Sequence, residues 1–435
     1  MLKHRARSQD LGTPLTGHWI RSVEEDRARH ALCALTSALR LLSGKHIRVP
    51  KRAYPGWSPS RVARLLQVGN SVRDLVLSTG RQRTLVSAER LEYLSGNIDC
   101  FTEHILRHGW SLLGAKRPFF VVGGTAPSRS IAAITGCDAT PAPRLCLTHH
   151  CVVVIMANWS GTPAVLHYAA CDRGMAELER LANGLGIASS DPQIRHLVPR
   201  LLAHAHLEDG AVVLAQTRIP ADPWEFRWRR IDAATELWLS RKPRSEFGGG
   251  AWVGQRMAQV CALLPDFTEL FAPARDALLS WCETARIPGI LTHGDFWLGN
   301  LLFSGDRISG IIDWEWAQKD GFVLVDALHL LLMSTADANE GRIAHYLRQL
   351  WADEISDAAL QERIVKLRIQ SGVDKDDLKF IALLLWFSIL WQRGMRGGMP
   401  SASWLEDMIP RTMPAIETWL CGHRKQAAGP QVALV

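Results

Sequence analysis

The chain of 435 residues has no Cys-x-x-Cys pair: its nine cysteines are scattered at 33, 100, 137, 146, 151, 171, 261, 282 and 421. An odd, dispersed set argues against a disulfide framework and fits a reduced, cytoplasmic protein. The one local cluster, Cys146, His149, His150 and Cys151, falls along an expected strand whose neighbouring side chains face opposite ways, so it is read as structural rather than metal-binding. A signal peptide is missing too, because Met1–Asp10 is basic but Leu11–Ile20 carries no sustained apolar stretch. The longest apolar run, Phe380–Trp391, is too short to span a bilayer and reads as a buried helix. Internal repeats and low-complexity tracts are absent, and a chain of this length ordinarily buries two or three domains.

Acidic excess is lacking as well. The first hundred residues hold 17 Lys/Arg against 8 Asp/Glu, whereas residues 101–435 hold 33 against 35, so the net charge of +7 sits at the N-terminal end. No nucleic-acid motif accompanies that charge, and it is read as solvated helix faces rather than a docking module for nucleic acid or anionic lipid. Helical signals are present there. Ser22-Val-Glu-Glu25 is a capping box opening a run with Ala31, Leu32, Leu35, Leu39 and Leu42 at helical intervals. After Pro55-Gly56, Ser58-Pro59 starts a second helix through Leu65, Leu66, Val68, Val72 and Leu75, and a third runs from Ser87 to Leu113. Residues 1–104 are therefore expected to form a basic, mainly helical extension, and residues 426–435 a flexible tail.

What the chain does have is concentrated in residues 290–315, where Thr-His293-Gly-Asp295-Phe-Trp-Leu-Gly-Asn300 is followed by Ile-Ile-Asp313-Trp-Glu. Moving a phosphoryl group requires an aligned hydroxyl, a carboxylate to accept its proton and metal ions on the phosphate oxygens. Asp295 suits the base, and Asn300, five residues on, suits a metal ligand. Leu301–Phe303, the turn Ser304-Gly305-Asp306 and Ile308–Ile312 read as a β-hairpin that returns Asp313, the second metal ligand, to Asn300. One carboxylate and one amide oxygen, completed by ATP and water, suit Mg²⁺.

This pattern resembles the aminoglycoside phosphotransferase and choline kinase-like family, relatives of the protein kinases. The resemblance implies an α+β, two-lobed protein-kinase-like fold: a small β-rich lobe at residues 105–220 and a large helical catalytic lobe at 221–425, behind the N-terminal helical extension. It implies that Asp326, at an expected helix start, braces the catalytic loop through hydrogen bonds and that His293 supports the same loop. It implies further an ATP- and Mg²⁺-dependent transfer to a small-molecule hydroxyl: a sugar, an amino alcohol or an aminoglycoside-like compound.

Upstream, Cys151–Ala157 and Ala164–Ala169 around Asn158-Trp-Ser-Gly161-Thr read as a hairpin, followed by a helix bearing Glu177, and then by the strand Ala211–Ala215. Gln216-Thr-Arg218-Ile resembles the family's hinge, where adenine is met, and Ile231–Ser240 its first large-lobe helix. The departure from the family is at Val165-Leu166-His167-Tyr168, where His167 stands near the place of the lysine that grips the phosphates. Free imidazole titrates near pH ~6.5 against ~10.4 for lysine, so such a histidine needs phosphate or Glu177 to hold a charge. That substitution keeps a second reading open, a kinase-fold binding or scaffold protein without catalysis. Among 17 tryptophans, Trp297, Trp314 and Trp316 flank the motif, with core packing their default role and an acceptor pocket the alternative.

Overall fold

A computed structural model describes the strands Val72–Thr79, Gln82–Ser87, Phe119–Gly124 and Leu145–Leu147, then residues 152–427 except 170–171, 207–209, 223–224, 244, 247–248, 286–287, 339–341 and 396–401. The chain divides into two units: one runs to Asn183 and takes in Pro199–Arg218, the other comprises Gly184–Val198 and Ile219 onward.

In the first unit the described strands β1 (Val72–Thr79), β2 (Gln82–Ser87), β3 (Phe119–Gly124), β4 (Leu145–Leu147), β5 (Val153–Trp159), β6 (Thr162–Ala169), β7 (Leu201–His206) and β8 (Val212–Thr217) form one sheet. Its order is β2-β1-β3-β4-β5-β6-β8-β7, with antiparallel pairing throughout. The β5–β6 hairpin closes on Ser160 and Gly161, at φ 48° and 78°. Positive φ at both central residues matches the right-handed twist of paired strands, which is why a Ser-Gly pair sits there. β8 lies between β6 and β7 with Val212 to Gln216 all buried, so an unbroken apolar run replaces alternation. Helix α1 (Asp172–Ser189) begins in this unit.

One expectation is corrected here. Val72 and Leu75, read as part of a helix, lie on β1, which pairs with β2 from Thr79↔Gln82 and with β3 from Ser78↔Phe119. Their three-residue spacing fits a helix locally, but pairing with a strand some forty residues away decides the conformation, and local spacing carries no record of that partner. Val72–Thr79 and Gln82–Ser87, assigned above to the extension, thus join the small unit's sheet. Ser87, the expected start of the third helix, closes β2, while the helix read at 22–42, the rest of the one read from Ser87 to Leu113, and His149, His150 and Cys151 lie outside the described residues.

The second unit is mainly helical: α2 (Trp228–Leu239), α3 (Gly249–Leu263), α4 (Thr268–Thr284), α5 (Val323–Ala338), α6 (Ile343–Ala352), α7 (Ala358–Ser371), α8 (Lys375–Met395) and α9 (Ala402–Ala427). Two small sheets are set among them. One has the order β13 (Gln318–Phe322), β10 (Pro288–Thr292), β9 (Ser245–Glu246), and the other pairs β11 (Leu301–Ser304) with β12 (Arg307–Ile311). α7 starts where the Asp357 carboxylate accepts the Leu360 N–H at 3.0 Å, and it stops at Gly372, whose φ of 69° suits a residue without a Cβ. The centre of the unit is α8, buried continuously from Leu378 to Gln392. Trp386 on α8 meets Phe271 of α4 edge to face at 5.4 Å. This helix is the one among the described residues long and apolar enough to cross a membrane, and 83% of its apolar window is buried inside the protein.

Candidate functional site

The catalytic-loop candidate connects β10 to β11, and almost every polar group in it is tied down. Asp326, in the first turn of α5, is 1% exposed. One of its oxygens accepts the His293 N–H at 2.6 Å and the Trp238 indole N–H at 3.1 Å, while the other accepts the Gly294 N–H at 2.9 Å. Three donors at two oxygens call for a carboxylate rather than an acid or an amide. Burial pushes this carboxyl up to about 6, against the pull of the His293 and Gly294 N–H groups, the Arg241 charge and the Trp238 indole. Arg241 is itself buried, stacks 3.5 Å over Trp238 and donates to the Leu291 carbonyl at 2.9 Å.

His293 is fully buried, and burial lowers its pKa to about 4. Its Nδ1 accepts the Asp295 N–H at 3.2 Å, which leaves the ring proton on Nε2 to donate to the Ile312 carbonyl at 2.8 Å. A neutral imidazole is the only form that can do both. His293 therefore links the backbone of Asp295 to the residue preceding Asp313.

Asn300 is 1% exposed at the end of a short 3₁₀ turn, Leu298–Asn300. Its Nδ2 donates to the Asp295 carbonyl at 2.8 Å and to the Asp295 carboxylate at 3.2 Å. With the amide thus oriented, Oδ1 is buried without a hydrogen-bond partner. The β11–β12 hairpin pairs Leu301 with Ile311, and the Ile312 N–H donates to the Asn300 carbonyl at 3.0 Å, so the chain segments bearing Asn300 and Asp313 run side by side. Asp313 has φ 63°, a left-handed conformation that a β-carbon makes costly and that marks functional turns. An orphaned amide oxygen and a carboxylate on adjoining segments are hard donors of the kind magnesium takes.

Gly294 turns the loop at φ 81°, and a Cβ there would stand 2.5 Å from the Trp316 carbonyl oxygen. Gly294→Ala is therefore expected to destabilise the protein by about 1–3 kcal/mol, read by urea denaturation. A variant as stable as the wild type would show that this turn relaxes freely.

In the small unit, His167 on β6 is 8% exposed and its Nε2 stands 3.1 Å from the Gln216 side-chain nitrogen. Donation from Gln216 places the ring proton on Nδ1, and burial lowers the pKa to about 4. Burial therefore favours the neutral imidazole, bonded to Gln216 inside the sheet. Glu177 is buried on α1 and pairs with Arg180, one turn along the same helix, at 2.9 Å. Arg218 has an exposed side chain and donates its N–H to the Pro163 carbonyl at 2.9 Å.

Several participants carried no signal in the sequence. Trp238 of α2 and Arg241 just beyond that helix pack against the loop and the strand before it, Ser334 of α5 accepts the Leu298 N–H at 3.0 Å, and Gln392 of α8 donates to the Gly294 carbonyl at 2.7 Å. His329 of α5 stands with Nε2 4.0 Å from an Asp295 carboxylate oxygen. All arrive by tertiary packing from 34 to 98 positions along the chain. Trp297, Trp314 and Trp316 are buried at 5%, 0% and 2% exposure, as core residues are.

A small strand-rich unit and a larger helical one agree with a protein-kinase-like fold. Residues 173–359 match the model of the phosphotransferase enzyme family. Among solved structures, the chain is similar to a thermostable mutant of aminoglycoside phosphotransferase APH(4)-Ia in ternary complex with ADP and hygromycin B, at 13% identity over 67% of this chain and 97% of that one, TM-score 0.38. Two others are APH(3'')-Id from Streptomyces rimosus, at 16% identity over 55% and 89%, TM-score 0.38, and an aminoglycoside phosphotransferase from Alicyclobacillus acidocaldarius, at 14% over 64% and 90%, TM-score 0.33. No curated protein sequence matches the chain.

Proposed function

We propose that the protein moves the γ-phosphoryl group of ATP, with Mg²⁺, to a hydroxyl of a small molecule such as a sugar, an amino alcohol or an aminoglycoside-like compound, in the cytoplasm. The observation that carries this reading is Asn300: its amide is fixed by two bonds to Asp295 and presents a buried, unpartnered Oδ1 beside the segment of Asp313. Desolvating an acceptor without a partner costs about 1–3 kcal/mol, and a bound cation removes that cost. When bound, the metal would neutralise charge on the transferring phosphoryl group. Asn300 and Asp313 would hold it, and Asp295 would orient the acceptor hydroxyl and take its proton as the oxygen attacks phosphorus and ADP departs. Asp326 and His293 hold the loop in place without touching substrate. Gln216 and Arg218 are the small unit's candidates for contacts to the nucleotide.

The test is calorimetric titration of ATP with and without Mg²⁺. Metal is expected to tighten binding to the wild type, and Asn300→Ala or Asp313→Ala to abolish most of that gain. The neutral His167 favours a second reading, a kinase-fold binding protein without catalysis. Absence of nucleotide binding by the wild type under both conditions would establish that reading in place of the first.

A further inference from the structure

Helix α3, Gly249–Leu263, contains a single charged residue, Arg256, and no acidic one. The guanidinium lies 3.3 Å from the centre of the Trp391 ring and 5.5 Å from that of Trp252. Its hydrogen bond is a long one, from Nη1 to Gln259 Oε1 at 3.3 Å, and its Nε is buried without a partner. No carboxylate offsets its desolvation among the described residues: burial alone pulls its pKa down, to about 10, which leaves it charged at neutral pH. Trp391 and Trp316 connect the cation to the catalytic loop. Trp391 packs edge to face on Trp316 at 5.0 Å, Gly294 approaches the Trp316 carbonyl too closely for a Cβ, and Gln392, next to Trp391, donates to the Gly294 carbonyl at 2.7 Å. Gly294 immediately precedes Asp295.

A purely structural arginine in a partly buried place is ordinarily matched by a carboxylate or saturated by carbonyls. The ring face of Trp391 offsets part of the charge but accepts none of the remaining N–H groups. Oxyanions meet both needs, because guanidinium donors fit a carboxylate or phosphate in a paired geometry. We propose that the hydroxyl acceptor is an anion, carrying a carboxylate or phosphate that Arg256 binds while its hydroxyl faces Asp295. A cationic amino alcohol or polyamine would instead meet repulsion there. The inference rests on the phosphotransferase reading and narrows its substrate class. In the reaction, the hydroxyl oxygen bonds to the γ-phosphorus, the bond from that phosphorus to the bridging oxygen breaks, the hydroxyl proton passes to Asp295, and the acceptor's own anionic group is unchanged.

The experiment is ADP release from ATP and Mg²⁺ with four sets of acceptors: sugar acids and short hydroxy acids, sugar phosphates, uncharged sugars, and amino alcohols with aminoglycosides. Turnover is expected in one of the two anionic sets, and the two distinguish a carboxylate from a phosphate. With the best anionic acceptor, Arg256→Gln is expected to raise KM about tenfold to a hundredfold with kcat changed much less. Arg256→Lys should recover part of the loss. Turnover confined to neutral or cationic acceptors, turnover with none of the four sets, or an unchanged KM in Arg256→Gln would overturn the proposal. ATP titration on the same preparation separates the two levels, since nucleotide binding without anionic turnover removes only the substrate class, and loss of nucleotide binding removes the phosphotransferase reading itself.

Discussion

Asp295→Asn is expected to lower kcat by about 10²- to 10⁴-fold while leaving the dissociation constant for ATP with Mg²⁺ within about threefold. The Asn300 amide donates to the carboxylate at 3.2 Å and the His329 Nε2 stands 4.0 Å from its other oxygen, so a replacement of the same shape keeps the Asn300 bond. What the amide loses is the ability to take a proton. Because Asn300 donates to the Asp295 backbone carbonyl as well, at 2.8 Å, the metal-ligand candidate remains oriented in the variant. Steady-state kinetics with calorimetry separate the two effects. Turnover by the variant within a few fold of the wild type would exclude Asp295 as the base, and loss of nucleotide binding would instead make it part of the phosphate site.

Asp326→Asn is expected to cost at least about 10²-fold in kcat, because the loop would be displaced even though no substrate is touched. An amide has one oxygen where three N–H groups converge, and its NH₂ would face another donor. The wild-type protein should show the same loss reversibly in acid. Burial raises this carboxyl from 3.8 to about 6, so it takes up a proton as pH falls through that value, and the bracing is lost. Stability moves in the opposite direction at this group. Its ionisation in the folded state is disfavoured on the order of 3 kcal/mol, so its contribution to stability is complete below pH 3.8 and disappears as pH rises through about 6. Activity should therefore fall between pH 7 and 5 without a contribution of Asp326 to unfolding, which a kcat profile beside a denaturation profile can separate. A kcat flat down to pH 5 would show that the bracing survives protonation.

Much of the catalytic segment was legible in advance because its bonds are local. Asp295 and Asn300 lie five residues apart within one loop, and the β11–β12 hairpin that carries the chain to Asp313 closes on a short Ser-Gly-Asp turn, so spacing and turn chemistry suffice. The β5–β6 hairpin with its Ser160-Gly161 turn, and the buried helix around Phe380–Trp391, were legible for the same reason. The strand at Val72–Thr79 was not. Its apolar residues also fit a helical interval, and β3, the strand that decides against a helix, begins at Phe119. Protonation was equally out of reach: His167 reads from the sequence as a possible stand-in for a lysine, and only its burial and the Gln216 bond make it neutral.

The sequence by itself determined the candidate groups of this chain, the carboxylates of Asp295, Asp313 and Asp326 and the amide of Asn300 in fixed order, because residue type and short-range spacing set what a loop can present. Tertiary structure alone decided the electrostatic condition of those groups. Arg241, Trp238 and Gln392 come to the loop from distant helices, Asn300 is left with an unpartnered oxygen, and Arg256 is desolvated without a counter-charge. Charge states and unmet hydrogen bonds depend on what surrounds a group in three dimensions, and packing supplies those surroundings from positions that chain order does not relate.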